Sequence, residues 1–279
     1  MVNHLQGKTL MTHLLHATNL TLAYDKKVIA EALSVTIPDN QFSVIIGPNA
    51  CGKSTLLRAL CRLLKPLSGE VLLDGKNIHH LPTKALARQI GLLPQQAIVP
   101  DNITVADLVA RGRYPHQSLL RQWNTADQEA VEQAMLATNV DSLAERSVDE
   151  LSGGQRQRVW IAMVLAQQTP LLLLDEPTTW LDMAHQIDLL DLFRDLHQQH
   201  GRTLVAVLHD LNQACRYADN LIVMQAGKIM AQGRPAEIIS AELVKQVFGM
   251  SCIIIDDPVS HTPLIVPCGR YHPVPGAIS

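Results

Sequence analysis

The run Gly47-Pro48-Asn49-Ala50-Cys51-Gly52-Lys53-Ser54-Thr55 constrains this chain more than any other stretch. It fills the pattern G-x-x-x-x-G-K-[ST], which needs a strand leading in and a helix leading out. Both neighbours are legible: Phe42 to Ile46 is a short apolar, β-rich run, and Ser54 to Leu64 reads as a helix stopped by Pro66. In that setting small residues let backbone N–H groups wrap the α- and β-phosphates of a nucleotide. Lys53 reaches the β- and γ-phosphates, and the Ser54 hydroxyl suits Mg²⁺. A plain glycine turn before a helix is the competing reading, and the two flanking elements weigh against it. Cys51 occupies a variable loop position; it is either a thiol activated by the helix N-terminus or a small space-filling residue.

Strands alternating with helices continue along the chain and imply a largely parallel sheet. Partial alternation from His16 to Ile37, with a turn at Asp25-Lys26-Lys27, reads as antiparallel strands, and Val71 to Leu73 precedes an Asp74-Gly75 turn. Thr104 to Val148 is mostly helical in its apolar spacing. After it come a helix (Gln155 to Gln168), a buried strand (Leu171 to Leu174), a helix (Ala184 to His200) and a strand (Thr203 to Leu208). A helix (Leu211 to Tyr217) and a strand (Leu221 to Met224) complete the series. Past Phe248 the density of prolines suggests an irregular tail packed on the domain. Lys+Arg 23 against Asp+Glu 26 leaves no basic run for nucleic acid. The apolar run at Leu171 to Leu174 is far short of the roughly 20 residues that span a bilayer. The five scattered cysteines form no C-x-x-C pair, and Met1 to Leu22 has no continuous apolar stretch. These features are those of a soluble intracellular chain.

Further residues fit a nucleotide site. Leu151-Ser152-Gly153-Gly154-Gln155 puts a serine and two glycines at a helix start, where free N–H groups and the helix dipole suit a γ-phosphate. One chain carrying both this surface and the phosphate loop suggests two chains, each closing over its partner's nucleotide. Asp175, at the end of a buried strand, can hold the Mg²⁺ shell, and Glu176 can polarise the attacking water. Gln95 follows a strand end and can touch both the metal's water shell and the hinge of the helical lobe, although Gln96 is adjacent and a surface glutamine is the plainer reading. His209 ends a strand and can meet the γ-phosphate and orient water; a structural histidine is the alternative. Asp182 is either a contact across a dimer or a helix N-cap. Tyr24 either stacks on adenine or packs in the core.

In this order these residues resemble the nucleotide-binding subunits of ATP-binding cassette (ABC) transporters, over about residues 14–249. The resemblance implies an α/β P-loop ATPase core with an antiparallel β subdomain and an inserted helical lobe. Tyr24 becomes the adenine-stacking aromatic, residues 47–55 the Walker A loop, Gln95 the Q-loop glutamine and residues 151–155 the signature. Leu171 to Asp175 becomes Walker B, Glu176 the catalytic base, Leu181-Asp182 the D-loop and His209 the switch histidine. The implied division is an extension over 1–12, a nucleotide-binding domain over 13–249 with its lobe at about 96–165, and a tail over 250–279. A head-to-tail homodimer sandwiching two ATP molecules with Mg²⁺ is implied as well. So are two integral-membrane permease subunits and, indirectly, a periplasmic siderophore-binding protein, at the cytoplasmic face of a bacterial inner membrane.

A finer likeness lies in Ala110 to His116, Trp160 to Met163, Ala206 to Asn212 and Ile254 to Pro258. These segments are similar to ATPases of ferric-siderophore importers, the last to those serving catecholates such as ferric enterobactin. Vitamin B12, haem or another siderophore stay open as substrates, as does a non-transport ABC ATPase. Cys51 and Trp180 depart from residues common in relatives, and neither removes a catalytic group.

Overall fold

The computed structural model describes residues 14–25, 27–95, 102–117, 123–179, 181–269 and 271. The expected extension over 1–12, Lys26 of the first turn, Gln96, Trp180 and the last prolines lie outside them. The chain opens with β1 (Leu15–Tyr24), β2 (Lys27–Ile37) and β3 (Phe42–Ile46), followed by α1 (Lys53–Leu60). Next come β4 (Ser68–Leu73), β5 (Lys76–Asn77), α2 (Thr83–Ala87) and β6 (Ile90–Leu93). Helices α3 (Val105–Ala110), α4 (Thr125–Ala137) and α5 (Gly153–Ala166) form a helical block, with 3₁₀ turns between them. Then follow β7 (Leu171–Asp175), α6 (Met183–His200), β8 (Thr203–Val207), α7 (Leu211–Tyr217), β9 (Asn220–Gln225) and β10 (Lys228–Gly233). The chain closes with α8 (Pro235–Ile238), α9 (Ala241–Phe248), β11 (Cys252–Asp256) and β12 (Pro263–Pro267).

The central sheet runs β10-β9-β3-β8-β7-β6, parallel throughout except for the antiparallel edge strand β10. Every residue of β3, β7 and β8 is buried, as expected for parallel strands covered on both faces. The period-two alternation divides them between two cores. Leu172, Leu174, Phe42 and Val44 pack with residues of α3 to α6, whereas Leu171, Leu173, Ile45 and Val205 pack with α1 and the antiparallel sheet. That second sheet runs β2-β1-β4-β5. At the β1–β2 turn Asp25 takes a left-handed φ of 51°.

Two expectations need correction. The helix after the phosphate loop ends at Leu60 rather than Leu64. Arg62 turns left-handed (φ 65°), and the Leu63 N–H closes back on the Arg58 carbonyl at 2.8 Å, so the stop is a local cap and not Pro66. The tail is not irregular either. β11 and β12 pair antiparallel from Cys252↔Pro267 to Asp256↔Pro263. The two prolines sit at the ends of β12, where no ladder N–H is required of them.

Candidate functional site

Four loops at the carboxyl edge of the parallel sheet gather the predicted polar residues, as is usual for open α/β sheets. Strand β3 delivers the phosphate loop, β6 delivers Gln95, β7 delivers Asp175 and Glu176, and β8 delivers His209 by way of Leu208. They surround a cavity of about 580 Å³ lined by Asn49, Ala50, Gly52, Lys53, Ser54, Thr55, Gln95, Glu176 and His209. Lys27 and Ile29 of β2 also line it, and neither was legible in the sequence as a site residue. Gly47 must be glycine: a Cβ there would lie 2.2 Å from the Met224 carbonyl oxygen. Gly52 enters α1 with a left-handed φ of 106°.

The lysine is buried and pre-oriented by its own loop. Its Nζ donates to the carbonyls of Gly47 (2.9 Å) and Pro48 (3.0 Å). The Ser54 hydroxyl donates to Asp175 Oδ1 at 2.8 Å. Burial pushes the Asp175 carboxyl above its ordinary value, against the lowering effect of that hydrogen bond. Two hard oxygens on adjoining loops form a donor set that suits Mg²⁺ shared with nucleotide phosphates.

Glu176 stands in the left-handed region at φ 55°. Its carboxylate is held on both oxygens: Gln95 Nε2 at 2.7 Å and the Thr179 hydroxyl at 3.5 Å on Oε2, and His209 Nε2 at 2.8 Å on Oε1. Gln95 thus reaches Glu176, while the adjacent Gln96 lies outside the described residues. Of the two readings of Cys51, the space-filling one agrees with its burial, which pushes the thiol up despite Lys53 nearby. Tyr24 is half-exposed at the end of β1, its hydroxyl accepting from Arg58 at 3.3 Å, and it does not line the cavity, although its strand partner Lys27 does.

Ser152, Gly154, Gln155 and Asp182 meet elsewhere, around a second concavity of about 420 Å³. Ser152 caps α5 in a reciprocal box. Its Oγ accepts from the Gln155 N–H (3.2 Å), and Gln155 Oε1 accepts from the Ser152 N–H (3.1 Å). With Gln155 so engaged, the first-turn N–H groups of Gly153 and Gly154 have no intrahelical acceptor. Asp182 caps α6, accepting from the backbone N–H of His185 at 3.0 Å and from its ring at 2.8 Å. Those two bonds hold its carboxyl below the ordinary value. The N-cap reading of Asp182 thus describes its place in the single chain. Arg158 and His185 line the same concavity and went unread in the sequence; His185 is marked only by its i+3 spacing from Asp182. Gln157 ties the two regions together, donating from α5 to the Pro177 carbonyl at 3.0 Å.

A phosphate loop at the end of β3, with an acidic pair at the end of β7 and β8 between them, defines a P-loop nucleotide-hydrolase site. The model of the ABC transporter family matches residues 30–179, from β2 past Glu176. This chain belongs to that family and carries its ATP-binding site. The ferric enterobactin transport ATP-binding protein FepC of Escherichia coli strain K12 is 61% identical over 93% of this chain and 96% of its own. The achromobactin transport ATP-binding protein CbrD of Dickeya dadantii is 55% identical over 91% and 94%. Among solved structures, an inward-facing metal-chelate type ABC transporter superposes with a TM-score of 0.79 at 28% identity, covering 94% of this chain and 99% of that one. A dimeric bacterial ABC transporter cassette superposes at 0.72 with 26% identity, covering 79% and 98%. Among the described residues no helix is long and apolar enough to cross a membrane.

Proposed function

We propose that this chain is the ATP-hydrolysing subunit that powers import of a ferric catecholate siderophore, of the enterobactin type, through separate membrane subunits. It works as a head-to-tail homodimer at the cytoplasmic face of a bacterial inner membrane. The observation that carries the reading is the separation of the two concavities. Lys53, Glu176 and His209 surround one, and Ser152 with Gly154 opens on the other, so a second chain has to supply what the first lacks. The substrate class rests on the names of the relatives at 61% and 55% identity.

In this mechanism the backbone N–H groups of the loop and the Lys53 ammonium bind the triphosphate. Ser152, Gly153 and Gly154 of the partner subunit cover its γ-phosphate. Glu176 takes the proton of the attacking water, while Gln95 and His209 fix the carboxylate and orient that water. Ser54, Gln95 and Asp175 would hold Mg²⁺, which neutralises phosphate charge when bound. Asp182 lies across the dimer from the partner's nucleotide, and Tyr24 stacks on adenine. The nucleotide-binding domain spans 13–249 and the lobe 96–165. Movement of that lobe passes through residues 104–123 to two permease subunits served by a periplasmic binding protein.

The test is uptake in a bacterium lacking its own ferric-catecholate ATP-binding subunit. Supplied with this chain and its membrane partners, the strain should take up ferric enterobactin, and with the Glu176→Gln variant it should not. Uptake of a ferric hydroxamate or of cobalamin in place of the catecholate would overturn the substrate.

A further inference from the structure

Helix α7 begins two residues after His209, so whatever fixes this helix also fixes where the imidazole stands. The helix has only seven residues, too few to hold itself, and its orientation depends on tertiary contacts. Asp210 caps it, Oδ1 accepting from the Gln213 N–H at 2.7 Å. One side is held by α6. Gln213 Nε2 donates to Gln186 Oε1 at 2.9 Å, and Gln186 Nε2 donates to the Leu181 carbonyl at 2.9 Å, beside Asp182.

The other side is held by the C-terminal hairpin. The Asn212 carboxamide pairs with the peptide of Ile265 as a neighbouring strand would. Its Nδ2 donates to the Ile265 carbonyl (3.2 Å), and the Ile265 N–H donates to its Oδ1 (2.8 Å). One turn later, Arg216 Nη2 meets Asp257 Oδ2 at 2.6 Å. The Asp257 side chain is 6% exposed, and its Oδ1 also accepts from the N–H groups of Val259 (2.8 Å) and Ser260 (3.3 Å). One carboxylate thus shapes the bend of the hairpin and grips the helix. Charge-assisted and two-point contacts of this kind fix direction as well as distance.

We propose that Asn212 is a positioning residue for ATP hydrolysis. With the Arg216–Asp257 pair, it makes the β11–β12 hairpin the anchor that sets α7, and through it His209, against Glu176. The inference rests on the role given to His209 under the proposed function.

The experiment is steady-state ATP hydrolysis by the full chain, with Asn212→Ala made in the parent and in a His209→Ala background, and folding checked by circular dichroism. In the parent, Asn212→Ala should lower kcat about tenfold, while KM for ATP moves by less than about twofold. In the His209→Ala background the same change should alter the rate by less than about twofold, because the group it positions is gone. Asn212→Asp keeps the acceptor for the Ile265 N–H and loses the donated bond, so it should fall between, and it carries the comparison if the alanine variant does not fold. A parental kcat in Asn212→Ala, an equal loss in both backgrounds, or a loss carried by KM would overturn the proposal. If His209→Ala itself hydrolyses ATP at the parental rate, the reading of His209 fails first. That result is distinct from a silent Asn212→Ala beside an impaired His209→Ala.

Discussion

Glu176 holds a donor on each of its oxygens, and the two nearest donors, Gln95 and His209, come from loops that meet it only in the fold. A carboxylate so placed is oriented before substrate arrives, which is what a general base in a pre-organised site requires. Replacing it with Gln keeps the size and removes the proton acceptor. The Glu176→Gln variant should therefore lose at least about a hundredfold in kcat while still binding ATP, measured by hydrolysis and by nucleotide retention. At this scale the sequence was informative where a motif dictates backbone shape. Gly47, Gly52, Lys53 and Ser54 could be placed from spacing alone, because few residue types permit that loop. It was less informative where burial decides. The depth of Cys51 beneath the loop, which raises its thiol, depends on strands far away in the chain. Lys27 and Ile29 reach the cavity only because β2 folds over it.

Among the elements, β7 was legible because four consecutive leucines between Pro170 and Pro177 are too short a run for a buried helix and fit a strand covered on both faces. The β11–β12 hairpin was not legible, because its prolines look like breakers until the register places them at strand ends. Asp257 offers a test of how that hairpin is held. The Arg216 guanidinium, then the N–H of Val259, hold its carboxyl well below the ordinary value. A carboxyl depressed in the folded state adds stability above its unfolded pKa, and that contribution fades as pH falls through the folded one. The parent should thus melt above Asp257→Asn at pH 7, and the gap should narrow as the pH drops below about 4, read from thermal unfolding across pH. A gap that stays constant into acid would mean that Asp257 acts by shape alone.

For the whole molecule, the decisive feature is that one chain presents two separate concavities. Mixing two inactive variants tests the head-to-tail reading directly. A Lys53→Ala chain paired with a Ser152→Arg chain leaves one composite site with both defects and the other with neither. The mixture should therefore retain ATP on a dimer, seen by light scattering and filter binding, where each variant alone does not. No recovery on mixing would place both halves of the site in a single chain. Local chemistry could be read from the chain alone: a loop that only small residues can form, a strand of leucines ending in two acids, and a helix start built from serine and glycine. Each of these depends on residues close together in the chain, so spacing suffices to read them. The tertiary structure alone decided which of them converge. Gln95 and His209 reach Glu176 because parallel strands β6, β7 and β8 end side by side, and the signature faces away because α5 packs on the opposite side of the sheet. Strand order and helix packing are set by burial summed over distant segments, which no single stretch of sequence contains.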